Sequence, residues 1–350
     1  MTARMLGIGT ATPCGRLDQA AAAEMVAAIG SVTPARARAM SHLYAQSGID
    51  ERAMAIVNGQ HQTYYNGSIP DTAHRMRSFH ELAPPIAHEA CARAIHCAGI
   101  VASDVTHLVT ASCTGLASPG VDIALIGSLG LDATVQRVNI GFMGCHAALN
   151  ALRTARALAI AEPGARVLVC CVELCSLHIQ ASQEGGCSVA DALFADGAAA
   201  CVVGGGRDES ALELRRTASI LLPDSLGAMG WRIGEAGFTM TLSPAVPDIL
   251  SRWVGGWVDG LLAEEGLCRA DVVSWAIHPG GPRVLASVAD ALGLEDGAKH
   301  ASADVLRHHG NMSSATILFI IAELLEKRKD GPLLALAFGP GLTGEALLMA

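Results

Sequence analysis

Apolar positions along the chain fall into two kinds of run. Short stretches, THLVTAS at Thr106–Ser112, RVLVCCV at Arg166–Val172 and VVSWAIH at Val272–His278, are apolar almost throughout, the pattern of strands buried on both faces. Between them lie longer Ala- and Leu-rich segments with helical spacing. Helices are predicted from Cys145 (CHAALNALRTARALAI), from near Pro247 (PDILSRWVGGWVDGLLAEEG) and from Asn311 (NMSSATILFIIAELLEKRK), the last closing on a basic turn that suits a helix C-terminus. Strands alternating with helices in this way predict an α/β fold with covered sheets.

Turn residues punctuate the pattern. The stretch GGGRDES at Gly204–Ser210 divides the chain, so the expected units are residues 1–205 and 206–350, and Gln60–Pro70 reads as an irregular loop. GIGTAT near Gly7 and GGG at Gly204 lack the full G-x-G-x-x-G between strand and helix, and both are read as turns.

Composition narrows the possible partners. A chain of 350 residues with 51% hydrophobic content builds a large core, and its length suits two intimately packed halves. Charged residues make up 16% and the formal net charge is -9, so no basic field exists to gather nucleic acid or an anionic membrane. The expected partners are small molecules and other copies of the chain. The 11 cysteines are scattered through apolar runs without a Cys-x-x-Cys pair, which predicts buried thiols in a reducing compartment. With no signal-type segment at the N-terminus and no apolar run of about 18 residues, the expectation is a soluble, cytoplasmic protein.

Against that background three residues carry candidate chemistry. Cys145 in NIGFMGCHAALNAL stands where a strand pattern passes through Gly141 and Gly144 into a helix, and the positive end of the helix dipole favours its thiolate. The alternative for any one of so many cysteines is inert packing. His278 ends an apolar strand ahead of Pro279, Gly280 and Gly281, where α/β sheets present reactive groups. Asn311 follows Gly310 at the head of a helix, a natural N-cap position. A carboxamide and an imidazole are both hydrogen-bond donors and together suit an oxyanion on a thioester carbonyl. His178 and the pair His308–His309 lack ligand spacing, so no metal site is expected.

Six segments in order, SCTGLASPGVD at Ser112–Asp122, GFMGCHAA at Gly141–Ala148, ALFADGAAA at Ala192–Ala200, AIHPGGP at Ala276–Pro282, HGNMSSA at His309–Ala315 and AFGPGLTGE at Ala337–Glu345, resemble the type III polyketide synthases typified by chalcone synthase. The resemblance spans nearly the whole chain. It implies the thiolase fold, five layers αβαβα built from two similar halves, the first carrying the cysteine and the second the histidine and asparagine. It also implies a homodimer, no cofactor, and malonyl-CoA plus an acyl-CoA or acyl-carrier-protein starter as substrates. By position, Cys145 is the implied nucleophile, held as thiolate by an imidazolium His278, and His278 with Asn311 is the implied decarboxylation and oxyanion pair. Phe194 is the implied gatekeeper, with a plain core aromatic as the alternative. Met240, Trp231 and His178 stand where the plant enzymes carry a second gatekeeper phenylalanine, a glycine and a threonine, which points away from a chalcone-type product and toward a pyrone or resorcinol.

Cys113, Ser118, Ser313, Gly339, Pro340 and Gly341 are expected around the same cavity, although Cys113 equally suits a packed strand. Arg52 in SGIDERAM is the one basic residue offered for the CoA phosphates, against the alternative of a solvated surface charge. Two other readings compete: a β-ketoacyl carrier-protein synthase of the initiating type that condenses once, and an inactive homologue serving as a binding or scaffold subunit.

Overall fold

A computed structural model describes residues 2–57, 64–65, 69–180, 189–205, 211–327 and 330–350. Most of the expected loop Gln60–Pro70, most of the divider Gly204–Ser210, and Arg328 and Lys329 of the basic turn lie outside the described residues. The first half contributes strands β1 (Ala3–Ala11), β2 (Arg16–Asp18), β3 (Glu51–Ala53), β4 (His107–Ser112), β5 (Gln136–Gly141), β6 (Arg166–Leu174) and β7 (Asp196–Gly205). The second contributes β8 (Leu212–Leu221), β9 (Met229–Gly234), β10 (Gly237–Leu242), β11 (Ser274–Ile277), β12 (Leu333–Gly339) and β13 (Thr343–Met349). The helices are α1 (Gln19–Ile29), α2 (Pro34–Ala45), α3 (Thr72–Cys97), α4 (Val121–Leu129), α5 (Ala147–Ala161), α6 (Val189–Leu193), α7 (Val246–Ala263), α8 (Pro282–Leu292), α9 (His300–His309) and α10 (Thr316–Glu326).

Nine strands join in the order β11-β12-β13-β8-β1-β7-β6-β4-β5. The sheet is nearly two sheets, because β1 and β8 meet only at Arg4–Glu213 and Met5–Leu212. Strand sense repeats across that junction. β4 is parallel to β6, which is antiparallel to β7, which is antiparallel to β1; β11 is parallel to β12, which is antiparallel to β13, which is antiparallel to β8.

Side-chain alternation along these strands builds the layers. On β6, Val167 and Val169 face the central helices α5 and α10, while Leu168 and Val172 face α3 and α4 on the outside. On β12, Ala335 and Ala337 face the centre, and Leu334 and Leu336 face α7 and α8. Five layers result, αβαβα, with both faces of each half-sheet covered, as the uninterrupted apolar runs predict.

Two expectations are corrected. GIGTAT is not a turn: Gly7 and Gly9 lie inside β1, and Gly204 lies at the end of β7. Helix α3 crosses β1 so closely that a Cβ on Gly7 would stand 2.4 Å from the Ala98 nitrogen and one on Gly9 2.5 Å from the Ala90 oxygen. The helix expected from Asn311 starts later, at Thr316, after a 3-10 turn at Ser313–Ala315.

Candidate active site

The repeat of the two halves brings Cys145 and Asn311 to the heads of equivalent helices. Each lies at the approach to a central-layer helix: Cys145 within the 3-10 turn Gly144–His146 ahead of α5, and Asn311 two residues before the corresponding turn Ser313–Ala315 ahead of α10, where Ser314 holds the place of Cys145. His278 follows β11, and Cys113 follows its counterpart β4. Residues remote in the chain therefore converge where the halves meet. Gly144, at φ 74, is required by the turn and by a close neighbour: a Cβ there would lie 2.4 Å from Pro340 Cδ.

Cys145, His278 and Asn311 line one small chamber of about 20 Å³ with Phe194, Met229, Met240 and Phe338. All three are buried. Neither ring nitrogen of His278 has a hydrogen-bond partner among the described residues, so both are left for whatever enters. Asn311 is oriented by its own turn: Oδ1 accepts from the Ser313 backbone N–H at 2.9 Å, leaving the carboxamide N–H groups for the sulfur side. The side chains of Ser313 and Asn311 both bond toward the Cys145 sulfur.

Burial sets the charge state. It pushes the Cys145 thiol up to about 12, against the downward pull of the hydrogen bonds from Ser313 and Asn311. It pushes His278 down to about 3, with further lowering from nearby His146. Burial thus favours a thiol and a neutral imidazole over the expected thiolate–imidazolium pair. A neutral imidazole is a competent proton acceptor.

Beyond the chamber lie two further spaces. Cys113, Cys145, Cys175, Trp231, Ser313 and Pro340 bound one of about 30 Å³. Another, of about 330 Å³, is bounded by Cys175, His178, Gln180, Asp191, Trp231 and Phe238. Phe194 and Met240 line all three, so these two side chains form the shared wall. Trp231 is pinned by its indole N–H, which donates to the Cys113 carbonyl at 2.7 Å.

A buried carboxylate braces the floor, and sequence reasoning missed it. Glu173 is fully buried and accepts from Ser112 Oγ, the Cys113 N–H, Thr114 Oγ1 at 2.6 Å and Ser314 Oγ at 2.5 Å. Burial still raises its pKa above the ordinary carboxylate range. Cys113 Sγ lies 3.2 Å from Ser313 Oγ, which ties this network to the hydroxyl beside Cys145. The signal was a lone acid inside RVLVCCVEL, a strand otherwise apolar on both faces.

Other expected site residues are placed differently. Arg52 is not a solvated surface charge: it is 0% exposed, and Nη1 donates to the carbonyls of Asp191 at 2.8 Å and Phe194 at 2.6 Å. Ser118 is exposed and bounds none of these spaces. Gly339 and Gly341 do not bound them either. Gly339 packs so tightly that a Cβ would stand 2.4 Å from His146 Cδ2, and Gly341 donates its N–H to the Met229 carbonyl at 3.2 Å. His178 does line the 330 Å³ cavity, but its ring is committed: Nε2 pairs with the Thr114 carbonyl at 2.7 Å, Nδ1 accepts from the Phe238 N–H at 3.3 Å, and Phe238 stacks on it at 4.3 Å.

The comparisons with known proteins agree with this geometry. The sequence profile of "Chalcone and stilbene synthases, N-terminal domain" matches residues 1–207, and that of the C-terminal domain matches residues 213–350. The chain is 33% identical to "Alpha-pyrone synthesis polyketide synthase-like Pks18" of Mycobacterium tuberculosis over 355 residues, covering 98% of this chain and 89% of that one. It is also 33% identical to a 1,3,6,8-tetrahydroxynaphthalene synthase of Streptomyces peucetius, covering 98% and 91%. Among solved structures it resembles PKS-I of the brown alga Ectocarpus siliculosus (TM-score 0.92, 29% identity, 99% and 98% of the two chains). It likewise resembles the type III polyketide synthase domain of Steely1 from Dictyostelium (TM-score 0.91, 30% identity, 100% and 99%). A cysteine, a histidine and an asparagine meeting in one buried chamber, on a chain matched over residues 1–207 and 213–350 by these profiles, place this protein in the chalcone and stilbene synthase family, the type III polyketide synthases.

Proposed function

We propose that the protein builds a polyketide on Cys145 by repeated decarboxylative condensation. The observation that carries the reading is the single chamber shared by Cys145, His278 and Asn311, with both His278 ring nitrogens unpartnered. The Cys145 sulfur attacks the carbonyl carbon of an acyl thioester while its proton passes to neutral His278, which returns it to the departing thiolate. A malonyl thioester then loses carbon dioxide. The electron pair moves onto the thioester oxygen, and donors from His278 and Asn311 hold that enolate oxygen. The enolate carbon attacks the acyl–Cys145 carbonyl, the C–S bond breaks, and the thiolate released takes a proton from solvent. No redox step occurs, and the residues named complete the chemistry without a cofactor.

The 330 Å³ cavity behind Phe194 and Met240 supports several extensions over one, which weighs against an initiating synthase that condenses once. The chemistry retained at the site weighs against an inactive scaffold. A pyrone or resorcinol is the proposed product, a reading that the named activity of the mycobacterial relative favours. The boundary between the halves is placed after residue 205, at the end of β7. A cytoplasmic setting fits the free thiols of all described cysteines.

A homodimer is proposed through the edge strand β5. Its residues Gln136–Asn139 are exposed, including Val138, with exposed Leu116, Ile123, Phe142 and Met143 close to it in the chain and an Arg137–Asp122 ion pair tying β5 to α4. Unpaired edges of this kind are normally covered.

Incubation with a panel of acyl-CoA starters and malonyl-CoA, read by mass spectrometry, tests the reading. Products carrying two or more ketide units are expected. A single extension supports the initiating synthase, and no carbon dioxide release supports the scaffold.

A further inference from the structure

His146, next to the nucleophile in the turn Gly144–His146, takes no part in the chemistry above, yet it is buried and its ring is bonded on both sides. Nδ1 meets Asn150 Oδ1 at 2.8 Å, and Nε2 meets Thr343 Oγ1 at 2.7 Å. Asn150 Nδ2 in turn donates to Glu345 Oε1 at 2.9 Å, and Glu345 Oε2 accepts from Arg153 and Ser219, each at 2.7 Å. His146, Asn150 and Arg153 lie on α5 or just ahead of it, in the first half; Ser219, Thr343 and Glu345 lie on β8 and β13, in the second. The bonds therefore close a ring that crosses between the halves twice. Gly339 admits the imidazole, since a Cβ there would stand 2.6 Å from Nε2.

The donor and acceptor roles follow from this ring. Only the amide nitrogen of Asn150 can face the Glu345 carboxylate, so its oxygen faces His146 and Nδ1 carries the proton between them. Burial lowers the His146 pKa against the opposing pull of Asn150 and Glu345, which leaves Nε2 bare to accept from the Thr343 hydroxyl. That hydroxyl also stands 2.8 Å from the carbonyl of Pro340, which bounds the space beside Cys145. Cys145 belongs to the first half, whereas His278 and Asn311 belong to the second. We infer that His146 is a positioning residue: bonded to Thr343 and, through Asn150, to Glu345, it fixes where the Cys145 sulfur stands relative to His278 and Asn311. The inference rests on the proposed condensing activity. Loosening this joint leaves each half intact and disturbs only the steps in which the sulfur acts together with the second half, where a misplacement of about 1 Å costs about 10²-fold in rate.

The test measures two steps separately in wild type, His146→Phe, Thr343→Val and Thr343→Ser. His146→Phe keeps a ring and loses both bonds, Thr343→Val keeps the side-chain shape and loses one, and Thr343→Ser keeps the hydroxyl. The first step is acyl transfer from an acyl-CoA starter to Cys145, read by rapid-quench intact mass. Its rate at saturating starter is expected to fall about 10-fold or more in Thr343→Val and further in His146→Phe, with KM little changed. The second step is carbon dioxide release from malonyl-CoA alone, which uses His278 and Asn311 and is expected to stay within about twofold in every variant. Thr343→Ser should restore loading to near the wild-type rate. Equal losses in the two steps, or unchanged loading in Thr343→Val, would overturn the assignment, and the Thr343 pair decides it even where His146→Phe fails to fold. If wild type neither loads an acyl group nor releases carbon dioxide, the condensing activity itself fails instead.

Discussion

Phe194 and Asn311 are paired across an isolated β-bridge: the Asn311 N–H donates to the Leu193 carbonyl at 2.9 Å, and the Ala195 N–H donates to the Asn311 carbonyl at 2.8 Å. The aromatic wall of the chamber and the Asn311 carboxamide thus sit on one paired backbone unit. Arg52 fastens that unit from behind through the Phe194 carbonyl. Arg52→Met leaves the Phe194 carbonyl unpaired, a cost of about 1–3 kcal/mol, while the Asp191 carbonyl keeps the Tyr44 hydroxyl as donor. The expected result is a lower Tm, slower malonyl decarboxylation and an altered product distribution together. Arg52→Lys should recover part of all three. A variant with lower Tm but unchanged products would uncouple the gate from Arg52.

The hydroxyl of Ser313 lowers the Cys145 pKa, so its removal raises a thiol that burial already holds near 12. The nucleophile is the deprotonated form, favoured by rising pH. In Ser313→Ala the iodoacetamide alkylation profile of Cys145 is therefore expected to move to higher pH, with a slower rate at any fixed pH below the midpoint. An unshifted profile would remove Ser313 from the control of the sulfur.

Asn311→Ala removes one of the two donors proposed for the enolate oxygen. Loss of a single such donor costs about 10²–10³ in rate, so carbon dioxide release from malonyl-CoA should fall by that factor. Starter loading on Cys145, which forms no enolate, should fall far less. Equal losses in the two steps would mean that Asn311 only shapes the chamber.

His278 is held at about 3 by burial. A group whose folded pKa is depressed stays neutral above it, so protonation of His278 should not set an acid limb between pH 5 and 8. Decarboxylation by Cys145→Ala, where the thiol no longer contributes, is expected to be nearly flat over that range. A fall with a midpoint near the ordinary imidazole value would contradict the buried, neutral state.

Trp231 stands between the space beside Cys145 and the 330 Å³ cavity. Trp231→Gly merges them and is expected to shift products toward more extensions or longer starters, measured by product mass. Met240, flexible and on the same wall, should give a narrower starter range when replaced by Phe.

Much of this architecture is legible in the order of residues. Runs such as RVLVCCV are apolar on both faces because they lie between helix layers, and the Gly–Cys and Gly–Asn junctions mark the entries to the two central helices. What stays hidden depends on partners remote in the chain. Gly7 and Gly9 read as a turn because nothing local reveals α3 lying on β1. Arg52 reads as surface or ligand-binding because its partners are carbonyls about 140 residues away. The burial that acts on the Cys145 thiol is hidden for a related reason: the helix junction is visible in sequence, but the packing around the chamber is a tertiary property.

The most direct test of the account is the intact-protein mass of wild type and Cys145→Ala after incubation with an acyl-CoA starter, before and after malonyl-CoA is added. Wild type should gain one acyl mass at Cys145 and lose it as product forms, while Cys145→Ala gains none yet still releases carbon dioxide through His278 and Asn311. An acyl adduct and polyketide product from Cys145→Ala at wild-type levels would contradict it.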